Sequence, residues 1–301
     1  MRSRLVARVA AAIALSSLAL ISSARAFEQA SVPVQYKGHE IQLTGRFDKP
    51  AGAGPFPAVI LLHGCSGYTE HLPHSSAWSA VLLGEGYATL ILDSFTPRGG
   101  YTCSGVPAST RALDVVAAAY FLAGRPDIRR DKIAVMGFSH GGGTALDAAV
   151  MMEEWRNGAP HGSLVKANVD SFGQSYVDEL QRQFKIAADQ FATRGKIAAY
   201  IAFYPHTCIY VQGDHFAGPV LLLIGTYDEE VSYPNCANLA AMQQPGGPEF
   251  RLKAYAYASH IFDFNEGFTA PNRRPGLAQP NASATADARE EVTSFLRRYL
   301  K

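Results

Sequence analysis

Two hydrophobic signatures alternate along the chain. Ala58–Leu62, Tyr87–Leu92, Lys132–Met136, Ile197–Phe203 and Val220–Ile224 are short apolar runs, as expected for strands covered on both faces. Between them, Ser75–Leu83, Thr110–Leu122, Gly141–Trp155 and Ser175–Arg194 carry apolar residues at helical spacing, and Pro126 stops the second of these. Arg251–Tyr257 closes the strand series, and Glu290–Leu300 reads as a final amphipathic helix. Near the start, Val32–Tyr36 and Glu40–Phe47 read as an antiparallel pair at a sheet edge. Pro50–Pro57 is a turn, and Pro271–Ala284 reads as a loop. The alternation predicts an α/β fold with a mostly parallel central sheet and helices on both faces, as a single domain over residues 27–301.

The first 26 residues do not fit that pattern. They hold Arg2, Arg4, Arg8 and Arg25, no acid, and a mostly apolar stretch from Val9 to Ile21 that ends in Ala24-Arg25-Ala26. A stretch of 13 residues is short of the roughly 20 that span a bilayer, so residues 1–26 read as a cleaved signal peptide. The expected location is therefore the periplasm or the medium, with no membrane attachment after cleavage. The whole chain has 27 basic and 26 acidic groups. Without the four leader arginines the balance is 23 against 26, a formal charge of −3. Such a balance offers no basic stripe for nucleic acid, and 48% hydrophobic residues exclude a disordered chain. Asn281-Ala282-Ser283 matches a glycosylation sequon, a pattern common by chance.

Export gives the four cysteines a meaning. Cys65 and Cys103 both follow strands, and Cys208 and Cys236 flank the run Val220–Ile224. The expected bridges are Cys65–Cys103 and Cys208–Cys236. No C-x-x-C spacing suggests a metal site.

The chemistry concentrates at Gly137-Phe138-Ser139-His140-Gly141, a G-x-S-x-G sequence with a buried strand before it and Gly-Gly-Gly opening a helix. In that context the serine sits on a turn so sharp that flanking side chains would clash, and the helix N-terminus favours negative charge beside it. A serine hydroxyl needs a base, oriented in turn by a carboxylate, and this arrangement runs Ser, acid, His along the chain. That order selects His260, after the last strand, from nine histidines. It selects Asp228 as the first carboxylate beyond Leu221–Ile224, with Glu229 and Glu230 as competitors. The oxyanion donors are expected to be the backbone N–H of His140 and of Cys65, the latter in His63-Gly64-Cys65-Ser66-Gly67.

Other signals are weaker. His71-x-x-His74 lacks a third ligand at metal-site spacing, so no metal or other cofactor is expected. Arg98, after the strand that ends near Leu92, is a candidate substrate contact; the alternative is a tie to Asp93. Aromatics at Phe203-Tyr204 and Phe262–Phe264 are candidates for an acyl pocket or for core. Asp214 reads as a loop residue.

Taken with Asp93-Ser94-Phe95, Gly225-Thr226-Tyr227-Asp228 and Ser259-His260, these motifs make residues 30–300 resemble the dienelactone hydrolase family of α/β-hydrolases. The resemblance implies a triad of Ser139, Asp228 and His260, with oxyanion amides at Cys65 and His140. Dienelactone hydrolases proper use a cysteine nucleophile. The serine here is more similar to the exported, serine-bearing branch. Against the family, 157–195 is long and is a candidate partial lid insertion. The expected activity is hydrolysis of small-molecule carboxylic esters through an acyl-enzyme. Lactonase or peptidase activity on the same triad is the alternative within enzymes, and an inactive binding protein the alternative outside them.

Overall fold

In a computed structural model, residues 27–158, 162–264 and 280–301 are described. The proposed leader, His161 and most of the 271–284 loop lie outside these residues. Eight strands form one sheet in the order β1-β2-β4-β3-β5-β6-β7-β8. They are β1 (Glu28–Tyr36), β2 (His39–Asp48), β3 (Phe56–Leu62), β4 (Ala88–Asp93), β5 (Ile128–Phe138), β6 (Ile197–Phe203), β7 (Val220–Gly225) and β8 (Phe250–Tyr255). Pairing is antiparallel for β1–β2 and β2–β4 and parallel from β4 across to β8. The strands β3, β4, β6 and β7 are buried along nearly their whole length, as is the second half of β5 from Ile133, which accounts for their mostly apolar sequence.

Helices cover both faces. Helices α2 (Ala108–Ala123) and α3 (His140–Asn157) pack on each other and on β5. Helix α1 (Gly67–Gly84) lies on β4 and β3, and the last helix, α7 (Ala282–Leu300), lies on β5, β6 and β7. An ion pair from Arg297 to Glu85 joins those two. Between α3 and β6 come α4 (Ser163–Phe172) and α5 (Gln174–Ala192); α6 (Tyr233–Ala241) follows β7. Helix α5 is seated on α2 by Val177, Leu180, Phe184, Ala188 and Phe191, a 3-4-4-3 spacing that makes one apolar stripe.

Several elements differ from the sequence reading, each for an identifiable reason. Helix α1 begins at Gly67 rather than Ser75. Its first turns bury His71 and His74, which are polar residues, so the inward face carried no apolar signature. Helix α4 was not anticipated. It buries only Leu164, and its N-terminus is capped from 50 residues away by Asp214, which accepts from the amides of Ser163 (2.8 Å) and Leu164 (3.0 Å). Helix α7 starts at Ala282 because the Asn281 carboxamide oxygen caps it, accepting from the Ala284 amide at 3.0 Å. The same oxygen belongs to the sequon, whose side chain is thus engaged. Strand β8 ends at Tyr255, two residues early; Tyr257 has φ +60° in the turn that follows. Both expected disulfides, Cys65–Cys103 and Cys208–Cys236, are present, as an oxidising compartment would favour. Among the described residues no helix is long and apolar enough to cross a membrane.

Candidate active site

The centre of the site is the junction of β5 and α3. Ser139 has φ +53° and ψ −114°, a strained conformation for a residue with a side chain. Two bonds hold it there: its amide donates to the Phe203 carbonyl on β6 (3.0 Å), and its carbonyl accepts from the Gly143 amide (2.9 Å). The flanking glycines are there for space. A Cβ on Gly137 would overlap the Gly141 carbonyl, and one on Gly141 would overlap the Leu62 carbonyl.

Two loops beyond the sheet bring partners to this serine. The Ser139 hydroxyl lies 3.0 Å from His260 Nε2, and His260 Nδ1 lies 2.9 and 3.0 Å from the two oxygens of Asp228. A carboxylate accepts only, so Nδ1 carries the proton and the Nε2 lone pair faces the hydroxyl. Asp228 Oδ1 also accepts from the amides of Glu230 (3.0 Å) and Val231 (2.7 Å), which fix its orientation. The two competing acids sit differently. Glu229 accepts from the His260 backbone amide at 3.1 Å, while Glu230, exposed, reaches only 3.5 Å from Nε2.

The loop carrying His260 is anchored by a residue that the sequence reading passed over. Asp263 is buried and accepts from Tyr204 Oη (2.8 Å), Trp78 Nε1 (2.8 Å) and His74 Nε2 (2.9 Å). These donors hold its carboxyl below the ordinary carboxylate value despite burial. The Tyr204 ring meets the His260 ring edge-on at 4.6 Å. Phe203, Tyr204, Phe262 and Phe264 are buried and serve as core beneath the site rather than as pocket lining. His74 stacks on Phe264, with centroids 3.8 Å apart, and burial pushes the neighbouring His71 down to about 3. The pair is thus built into the packing under His260.

The loop after β3 approaches from the other side. His63 is buried; its Nδ1 donates to the Gly64 carbonyl (2.9 Å) and its Nε2 accepts from the Ser94 amide (3.2 Å), so the ring is neutral. Burial holds it well below its ordinary value. Cys65 is bridged to Cys103, whose amide donates to the Cys65 carbonyl at 3.0 Å. Arg111 on α2, a residue with no sequence signal beyond a charge in an apolar helix, ties this loop to α3. It is fully buried, donates to the His63 carbonyl (3.1 Å) and to His140 Nδ1 (2.9 Å), and lies over the Phe95 ring. Burial lowers its guanidinium to about 9, still charged at neutral pH. Burial and that adjacent charge bring His140 down to about 2, so its ring is neutral.

Arg98 requires a correction. Its side chain is 1% exposed and is committed to Asp114 through two bonds (2.6 and 2.9 Å) and to the Ser94 carbonyl (2.6 Å). The guanidinium holds its own loop against α2 and is not offered to a substrate. Its partner is Asp114 rather than Asp93, which instead accepts from the amides of Phe95 and Thr96.

Beside His140, the residue that follows Ser139, opens a cavity of about 290 Å³. Its walls are the Cys103–Ser109 segment, His140 and Asp147 of α3, His206, Thr207 and the inner side of α4. The 157–195 segment therefore contributes a wall through α4, whereas α5 packs into the body of the fold.

A mostly parallel sheet with this strand order, and a serine on the turn from β5 into the next helix, define the class: an α/β-hydrolase fold. The model of the prolyl oligopeptidase family matches residues 107–301, a span that includes Ser139, Asp228 and His260, and the chain belongs to that family. Among solved structures, similar ones include a dienelactone hydrolase-like promiscuous phosphotriesterase from metagenomic libraries (TM-score 0.62, 18% identity, 92% of this chain and 100% of that one). A dienelactone hydrolase from Anabaena variabilis is similar at TM-score 0.55 and 19% identity, over 91% and 99%. Esterase 2 of Thermogutta terrifontis, phosphorylated by paraoxon, is similar at 0.55 and 16%, over 90% and 94%. At these identities the likeness is one of fold, and it is the fold of the family that the motifs resemble. No curated protein matches the chain significantly.

Proposed function

We propose that this protein is an exported serine hydrolase that cleaves carboxylic esters. The observation that carries the reading is the continuous line from Ser139 Oγ to His260 Nε2 (3.0 Å) and from His260 Nδ1 to Asp228 (2.9 Å). Ser139 attacks the ester carbonyl carbon while His260 Nε2 takes the hydroxyl proton. The carbonyl oxygen, now an oxyanion, accepts from the amides of Cys65 and His140. The intermediate collapses, the carbon–oxygen bond to the alcohol breaks, and His260 gives its proton to the departing oxygen. Water then attacks the acyl-enzyme, again losing its proton to His260, and the acid leaves with the Ser139 hydroxyl restored. Asp228 fixes the imidazole tautomer and stabilises the imidazolium throughout. The leader at 1–26 and the two disulfides support export.

A second reading has a specific observation in its favour. The prolyl oligopeptidase family match supports cleavage of peptide bonds by the same three residues. Kinetics with p-nitrophenyl butyrate beside matched p-nitroanilide peptides and a lactone separate the readings: the ester is expected to be the best substrate. Ser139→Ala is expected to lose ester turnover by several orders of magnitude and to lose labelling by a fluorophosphonate. Undiminished turnover in that variant refutes the assignment, and faster amide than ester cleavage replaces it with the peptidase reading.

A further inference from the structure

The cavity beside His140 runs along one face of α3. His140 and Asp147, two turns apart on that helix, both line it. His206 borders it too, its ring stacked on His140 with centroids 5.0 Å apart, whereas neither Ser139 nor His260 is among its lining residues; His140, the chain neighbour of Ser139, is the link between the cavity and the nucleophile. The departing alcohol has to lie against His260 to receive its proton. The cavity on the His140 side is therefore placed for the other half of the ester, the acyl group.

Its polar wall is not uniform. Ser109 donates to Asn168 (2.8 Å), and Asn168 donates to the Leu164 carbonyl (3.0 Å), so these two are paired with each other and with the backbone. Asp147 differs. It is buried, and its Oδ1 has no hydrogen-bond partner among the described residues. A carboxylate in that position would be costly, and a neutral carboxyl group has an O–H to donate. Burial, with Asp214 and Glu154 as neighbouring acids, pushes Asp147 well above its ordinary value, against the opposing effect of a Thr207 hydrogen bond. A buried donor of this kind is satisfied by a neutral acceptor on a ligand and disfavours a purely apolar chain, because the polar group is then left unpaired.

We infer that this cavity is the acyl subsite and that Asp147 at its far end donates a hydrogen bond to a neutral oxygen on the acyl group, so that the substrates are esters of hydroxy- or oxo-substituted acids. The assignment rests on the ester-hydrolase reading above. Two helical turns set the span at about 10–11 Å, the length of roughly eight carbon–carbon bonds in an extended chain. The acidic neighbours work against a terminal carboxylate at the same place.

The test uses p-nitrophenyl esters of straight-chain acids of about four to ten carbons, each with and without a terminal hydroxyl. For the wild-type protein the ratio of kcat/KM, hydroxylated over plain, is expected to peak near eight to nine carbons at on the order of 10- to 100-fold. Asp147→Asn keeps a neutral donor and is expected to retain the peak; Asp147→Leu is expected to flatten it to a ratio near one. The length scan needs no variant, so it decides the matter even if the leucine protein does not fold. Ester turnover with a ratio that is flat at every length, or a peak that survives in Asp147→Leu, overturns the Asp147 assignment and leaves the ester reading standing. Absence of turnover on every ester in the wild-type protein overturns both.

Discussion

Asp263→Ala removes a buried carboxylate that three donors from two elements share. Tyr204 at the end of β6 and Trp78 and His74 on α1 all donate to it, at 2.8, 2.8 and 2.9 Å. Alanine leaves all three donors without an acceptor in a dry site. Each orphaned group costs about 1–3 kcal/mol, so a total of at least about 3 kcal/mol is expected for the three. Asp263→Asn is a sharper probe. Its oxygen can still serve Tyr204, and its amide faces His74, which can shift its proton to Nδ1 and accept; Nδ1 has no partner among the described residues. The Trp78 N–H and the relocated His74 proton are then without acceptors, and a loss of about 1–3 kcal/mol for each is expected. Urea unfolding of the oxidised protein followed by tryptophan fluorescence measures both. The pH dependence supplies a second check. Because the folded-state value of Asp263 is lowered, its contribution is fully present above the ordinary carboxylate value and is lost as pH falls below about 4 toward the folded-state value. The acid limb of the stability profile is expected to be shallower in the asparagine variant. Losses below about 1 kcal/mol in Asp263→Ala, or identical acid limbs, would refute the account of this anchor.

Asp228→Asn is expected to lower kcat by about 10⁴ with little change in KM, since an amide favours the wrong imidazole tautomer; a stopped-flow or steady-state ester assay reads this directly. Gly137→Ala places a Cβ into the Gly141 carbonyl, and the protein is expected to be recovered unfolded or destabilised by more than about 3 kcal/mol in circular dichroism melts. Arg98→Ala leaves Asp114 buried without its bidentate partner and is expected to cost about 3–5 kcal/mol of stability while leaving KM for p-nitrophenyl butyrate within about twofold; a large rise in KM alone would restore the substrate-contact reading.

Much of the fold was legible because the strands of the parallel sheet announce themselves as apolar runs, and β6 matches its expected limits residue for residue. The approach of Ser139, Asp228 and His260 to one another was legible from chain order, since each follows a different strand at the same sheet edge. What escaped the sequence shares one cause. Asp214 capping α4, Arg111 linking the His63 loop to α3, and Asp263 gathering donors from as far as 189 residues away are polar residues whose partners are distant in sequence. Spacing rules describe local periodicity and carry no information on such pairs. Arg98 went astray for the same reason, its partner lying 16 residues on, inside an apolar helix.

The Cys65–Cys103 bridge has a practical consequence for anyone preparing the enzyme. One end of this covalent staple is the residue whose amide is proposed to receive the oxyanion, and the other borders the acyl cavity. Chain synthesised in a reducing cytosol loses this covalent link and keeps the weaker Cys103 amide bond to the Cys65 carbonyl. Specific activity will then follow the oxidation history of each batch, and a host that exports the protein is the appropriate source.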